Sequence, residues 1–266
     1  MKKIRFLVND EGAAFISGLP SEELEYWHTK LAFTDVPSLP GNQAITIRQG
    51  ALSYSENERA LYVPPGLKYP ELCYVLRTLS DSMRIARGNL PLHGAVVGPP
   101  ESQTLIFARP NHGKSYLAKL LAESNPNYTV IGDDHVVLTN RLLLGNARMR
   151  LRKPDGTEKR LSTARCGEKR LSLGVCFVFS QSGNTNKILP FDAWFEAALQ
   201  ATALKYLSAP FAIQGVRYQP EILWRNPEAS RRARMLLQTN LNAKPTVFIC
   251  GSQRYAANII SNLMER

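Results

Sequence analysis

In the first 68 residues the apolar positions come in short runs. "KIRFLV", "AITIRQ", "ALSYS" and "RALYV" are rich in β-branched and aromatic residues and are separated by turn formers. That pattern predicts strands. "SEELEYWHTKLA" differs: Ser21 is placed to cap a helix, and Glu22, Glu23 and Glu25 suit its positive N-terminal end. From Tyr69 the period lengthens. Leu72, Val75, Leu76, Leu79, Met83 and Ile85 recur at three- and four-residue steps, which predicts an amphipathic helix ended by Gly88.

Beyond Gly88 the two periods alternate. "GAVVG" and "TLIFA" are short apolar runs bounded by Gly and Pro, and "KSYLAKLLAES" has helical spacing. "YTVIGDDHVVLT" reads as a strand, a polar break and a second strand. "RLLLG", "VCFVFS" and "TVFICG" are further strands. "FDAWFEAALQATALKYL", "PEASRRARMLLQTNL" and "YAANIISNLMER" are further helices. Strands alternating with helices predict an α/β core, and the adjacent strands after Val130 predict a mixed sheet flanked by helices. The chain thus divides into a strand-rich accessory segment with its linking helix, residues 1–87, and an α/β domain, residues 88–266.

Composition adds limits. Of 266 residues, 44% are hydrophobic and 21% charged, an ordinary globular balance. No run approaches the roughly 18 apolar residues of a membrane helix. The basic start "MKKIRFLV" is too short in apolar residues for a secretory signal, so a cytoplasmic location is expected. The four cysteines form no CxxC pair, which argues for free thiols rather than zinc or disulfides. Net charge is +11, which favours acidic partners. Much of it lies between Asn146 and Arg170, where nine Lys and Arg face three acidic residues. That stretch reads as a polar, turn-containing surface loop, too polar for a core. No aromatic pattern of RNA recognition interleaves it, so nucleic acid is disfavoured.

One segment carries chemistry. "ARPNHGKSY", Ala108 to Tyr116, lies between a strand and a helix. A phosphate cradle needs backbone N–H groups converging at a helix N-terminus, a lysine for the outer phosphates and a hydroxyl for magnesium. Gly113, Lys114 and Ser115 fill those positions, with Arg109, Pro110, Asn111 and His112 forming the loop. Ala108 stands where such loops usually begin with glycine. If that position needs positive φ, the methyl costs on the order of 1 kcal/mol, too little to abolish a site. Downstream, the paired acids Asp133 and Asp134 end an apolar strand, the usual placement for a magnesium carboxylate and a proton acceptor. Upstream, His93 precedes a strand leading toward the loop, and a histidine can orient a carboxylate.

"LHGAVV", "ARPNHGKS" and "IGDDHVVL", in this order and spacing, resemble the kinase domain of the HPr kinase/phosphorylase family. The likeness covers about Leu90 to Leu138 with specific motifs and is loose beyond. It implies a P-loop kinase core that uses ATP and Mg2+ to phosphorylate a serine of a peptide or protein. Residue by residue, it implies that Lys114 holds the β/γ-phosphates, Ser115 and Asp133 hold the metal, Asp134 accepts the substrate proton and His93 supports that carboxylate. Members of that family often assemble, so a homo-oligomer is among the expectations. Two departures stand out. Tyr116 occupies a position that is usually acidic, and the family's Glu–X–Arg–Gly signature is not clear, with Glu168 only roughly in place. The chain's own residues leave two alternatives open: a kinase of a small-molecule hydroxyl, and a non-catalytic nucleotide-binding regulator.

Overall fold

A computed structural model describes residues 4–8, 13–17, 33–35, 44–55, 57–65, 75, 89–99, 102–108, 111–138, 143–145, 148–152, 157–162, 171–179, 184–190, 192–193, 212–213, 216–217, 228, 231, 234–235, 238–239 and 246–265. The first strands are β1 (Ile4–Val8), β2 (Ala13–Ser17), β3 (Phe33–Asp35), β4 (Ala44–Gln49), β5 (Ser53–Ser55) and β6 (Ala60–Val63). They form one sheet in the order β3-β1-β2-β4-β6-β5. Four of them fall on the predicted runs. β2 ("AAFIS") and β3 ("FTD") had not been anticipated. No described strand from residue 90 onward joins this sheet.

The later elements are β7 (Leu90–Leu92), β8 (Gly94–Gly98), β9 (Gln103–Phe107), α1 (Lys114–Ser124), β10 (Thr129–Asp133), β11 (Val136–Leu138), β12 (Leu143–Gly145), β13 (Arg148–Arg152), β14 (Glu158–Ser162), β15 (Leu171–Phe179), β16 (Thr185–Leu189), β17 (Ala212–Ile213), β18 (Val216–Arg217), β19 (Thr246–Gly251) and α2 (Gln253–Met264). The main sheet runs β10-β8-β9-β15-β19-β16, with β12-β11-β7 as a smaller sheet. β9, β15 and β19 are mutually parallel, while β8 is antiparallel to both β9 and β10. β10 therefore points the same way as β9. The carboxyl ends of β10, β9, β15 and β19 share one edge, where open α/β sheets place their ligands. The mixed α/β character read from the sequence holds.

Burial explains why the central strands read as unbroken apolar runs. Ala95, Val97, Ile106, Val130, Val247 and Ile249 join Leu117, Ala118 and Leu121 of α1 and Ala256, Ala257 and Ile260 of α2 in one core. The alternate positions Val96, Leu105, Phe107 and Ile131 are buried on the other face. A strand covered on both faces loses its polar alternation. α2 begins at Ser252, whose Oγ accepts from the Tyr255 N–H, and this fixes where the chain leaves β19.

The basic stretch differs from its prediction. β13 and β14 form an antiparallel hairpin, with Arg150 opposite Arg160, and Leu151 is buried in the core beside α1. Within the alternating "RMRLR", Leu151 is an inward apolar position that total charge concealed. The helices expected at residues 21–32, 69–87 and 191–207 lie largely or wholly outside the described residues, as does Glu168. Among the described residues no helix is long and apolar enough to cross a membrane.

Leu121 is fully buried between α1 and the sheet. Leu121→Ala is expected to cost about 2–5 kcal/mol through lost transfer energy and the cavity it leaves. Chemical denaturation measures this, and a loss below about 1 kcal/mol would remove α1 from the core.

Candidate functional site

Two strand pairs change sheets at the same level, and this builds the site. β7 pairs with β11 in the small sheet, with Leu92 opposite Val136. β8 pairs with β10 in the main sheet, with Ala95 opposite Asp133. His93 is the junction between β7 and β8, and Asp134 and His135 are the junction between β10 and β11. The two junctions are therefore neighbours. β8 also pairs with β9, Gly94 opposite Phe107, so His93 lands where β9 gives way to the loop. Three motifs distant in sequence thus meet at one corner.

The crossing turn has its own geometry. Asp134 has φ 67°, in the left-handed region, and the His135 N–H donates to the Asp133 carbonyl at 2.8 Å. Aspartate is among the few non-glycine residues that tolerate that backbone. His93 is 2% exposed. Its Nδ1 lies 2.8 Å from the Asp134 carbonyl oxygen and 3.5 Å from Asp134 Oδ1. Its Nε2 lies 2.9 Å from Lys114 Nζ. A carbonyl only accepts, so Nδ1 carries the hydrogen and donates it. Nε2 then offers its lone pair to the lysine ammonium. His93 so ties the loop lysine to the acidic turn. The expected link to Asp134 is present, but it runs through the backbone more closely than through the carboxylate. The contact to Lys114 was not legible in the sequence.

The loop turns twice through left-handed backbone, at Asn111 (φ 64°) and Gly113 (φ 81°). Gly113 caps α1 without a side-chain hydrogen bond, so the first-turn N–H groups have no side-chain oxygen from their own cap. Lys114 is 5% exposed. A buried ammonium needs polar company, and His93 supplies part of it. The Ser115 hydroxyl donates to Asp133 Oδ1 at 2.8 Å. Two hard oxygens thus sit side by side, which fits a magnesium ion that keeps most of its shell as water and phosphate. Among the described residues no group of three or more His, Cys, Asp and Glu is placed to hold a metal. Tyr116 is 45% exposed on the first turn of α1, and His112 is half-buried. Arg109 and Pro110 lie outside the described residues.

Ala108 answers the question its position raised. It is 3% exposed, packs in the core beside α1, and is not among the positive-φ residues. The strain that alanine would suffer with positive φ does not arise, and its methyl fills space. Gln253, the first residue of α2, is a site neighbour that the sequence did not reveal. A Cβ added to Gly113 would stand 2.5 Å from its Nε2. Nothing local in "GSQRY" signals that approach, which depends on β19 lying one strand beyond β15.

The two small residues of the loop are therefore expected to differ. Ala108→Gly removes a buried methyl and adds backbone freedom, costing about 1 kcal/mol. Gly113→Ala imposes left-handed strain and a clash, costing about 1–3 kcal/mol. Equal melting temperatures for the two variants would contradict the loop geometry.

No family model matches this chain, and no curated protein matches it. The reading of the site rests on its own residues.

Proposed function

We propose that the chain is an ATP- and Mg2+-dependent kinase with a P-loop core, transferring the γ-phosphoryl group to a hydroxyl, the serine of a peptide or protein. One observation carries this reading. Lys114, His93 and Asp134 form one hydrogen-bonded chain, and Ser115 and Asp133 are paired beside it. These are the positive charge, the carboxylate base and the hard-oxygen pair that phosphoryl transfer uses.

The two acids divide the work by exposure. Asp133 is 1% exposed and bonded to Ser115, whereas the Asp134 side chain is 21% exposed. Asp134 is the carboxylate an acceptor can reach. It takes the proton from the hydroxyl as that oxygen attacks the γ-phosphorus and the bond to the β-phosphate oxygen breaks. Lys114 offsets charge on the outer phosphates, and the α1 N-terminus adds backbone donors. Ser115 and Asp133 would hold the magnesium, which supplies further charge neutralisation when bound. His93 fixes the turn that carries Asp134, a positioning role.

Lys114→Ala is expected to abolish transfer while the chain stays folded. Asp134→Asn is expected to keep nucleotide binding and lower transfer by about 100-fold or more, the usual worth of a general base. Labelled ATP with a panel of serine peptides measures both, and full transfer by Asp134→Asn overturns the assignment. Tight ATP binding without labelling of any acceptor would favour a regulator.

The reading extends to an acidic acceptor, and the hairpin supports it. Positions 148, 150 and 152 alternate with the inward Leu151, and register places Arg160 opposite Arg150. Like charges set directly opposite destabilise a strand pair, a cost that an acidic partner relieves. Such docking is screened by salt, over about 10 Å at 0.1 M. Neutralising Arg148, Arg150 and Arg152 should raise KM for an acidic peptide acceptor, flatten its salt dependence and leave KM for ATP unchanged. Unchanged acceptor kinetics would remove the hairpin from recognition.

A further inference from the structure

The motif residues account for one end of a nucleotide donor. Phosphates belong at α1, and the transferred group faces Asp134. The other end, the nucleoside, is left without a place. Sheet order decides its direction. β8 and β10, which carry His93 and the acids, lie on one side of β9, and β15 and β19 lie on the other. A triphosphate whose terminal group faces Asp134 therefore extends across the loop toward β15 and β19.

At that edge two side chains of α2 and one from the residue before β16 lie against two glycines. Gln253 presses on the loop: a Cβ at Gly113 would meet its Nε2 at 2.5 Å. A Cβ at Gly251, the last residue of β19, would meet Asn184 Oδ1 at 2.6 Å and the Tyr255 ring at 2.8 Å. Both positions hold backbones that side chains approach too closely for anything but glycine. Gln253 and Tyr255 are half-buried, and Asn184 is exposed, so the cluster borders solvent as a ligand site must. Its chemistry is selective. Two amides each offer a donor and an acceptor, which suits ribose hydroxyls and the edge of a heterocycle. An aromatic ring supplies a face or edge for a planar base. None of the three is charged, in contrast to the Lys114 side of the loop, and this favours the neutral part of the donor.

We propose that Gln253, Tyr255 and Asn184 form the subsite for the nucleoside of the phosphoryl donor. The inference rests on reading Gly113–Ser115 as the phosphate loop. It makes the donor a nucleotide and not an inorganic polyphosphate, because the sugar and base have their own wall.

The test compares two probes on the full chain by calorimetry with magnesium present: ATP and inorganic tripolyphosphate. They share the phosphates and differ only in the nucleoside. The wild-type chain is expected to bind ATP at least ten-fold more tightly. Gln253→Ala and Asn184→Ala should each weaken ATP by about 3- to 10-fold, the usual worth of one hydrogen bond, and leave tripolyphosphate unchanged. The double variant should bring the two affinities together. The Tyr255 ring also packs against the core, so it is left intact in these variants. Parallel weakening of both probes would mean that these residues only brace the loop, and would overturn the proposal. So would unchanged ATP affinity in the double variant. Binding of neither probe by the wild-type chain would overturn the phosphate-loop reading itself, and this inference with it.

Discussion

The site depends on a shared crossing. β7–β8 and β11–β10 each leave one sheet and enter another, and they do so side by side. At that point His93 and Asp134 lie between the two ladders, and side chains add to the pairing. The His93 ring does so: it donates to the Asp134 carbonyl and accepts from Lys114. Take the ring away, and a turn, a buried ammonium and a loop lose their common tie. A partner of matching length with both a donor and an acceptor is hard to find among other side chains.

Strand order also explains why one sheet edge holds the described candidate groups. Antiparallel β8 lies between β10 and β9, so the ends of two like-directed strands stand two strand spacings apart, roughly 10 Å. Ser115, carried back by α1, bridges part of that gap to Asp133. The helix is held down by Leu117 and Leu121 against the sheet. Packing below and hydrogen bonding above are therefore two halves of the same positioning.

Much of this was legible in the chain. The strand runs, the α1 helix and the closing helix follow from period and turn residues, and the loop and acid pair follow from spacing. The less legible parts share a physical cause: they are set by pairing between distant segments. His93 meets Lys114 because of where β8 starts relative to β9, which no local pattern encodes. Gln253 meets Gly113 because β19 enters the sheet beyond β15. Leu151 was hidden because an inward residue among arginines scarcely changes a window average. Whether Ala108 was strained stayed open in the sequence, because only the backbone angle separates a strained methyl from a packed one.

The left-handed backbone at Asp134 has a further consequence. Few side chains accept φ 67°, and asparagine is one of them, nearly equal in size to aspartate. Branched residues would distort the turn and, through His93, the lysine beyond it. The substitution least costly to the architecture is thus the one that removes the carboxylate charge. In a lineage carrying this corner, loss of chemistry and loss of shape are uncoupled. On the proposed function, a single amide at this corner would keep the scaffold and remove the base.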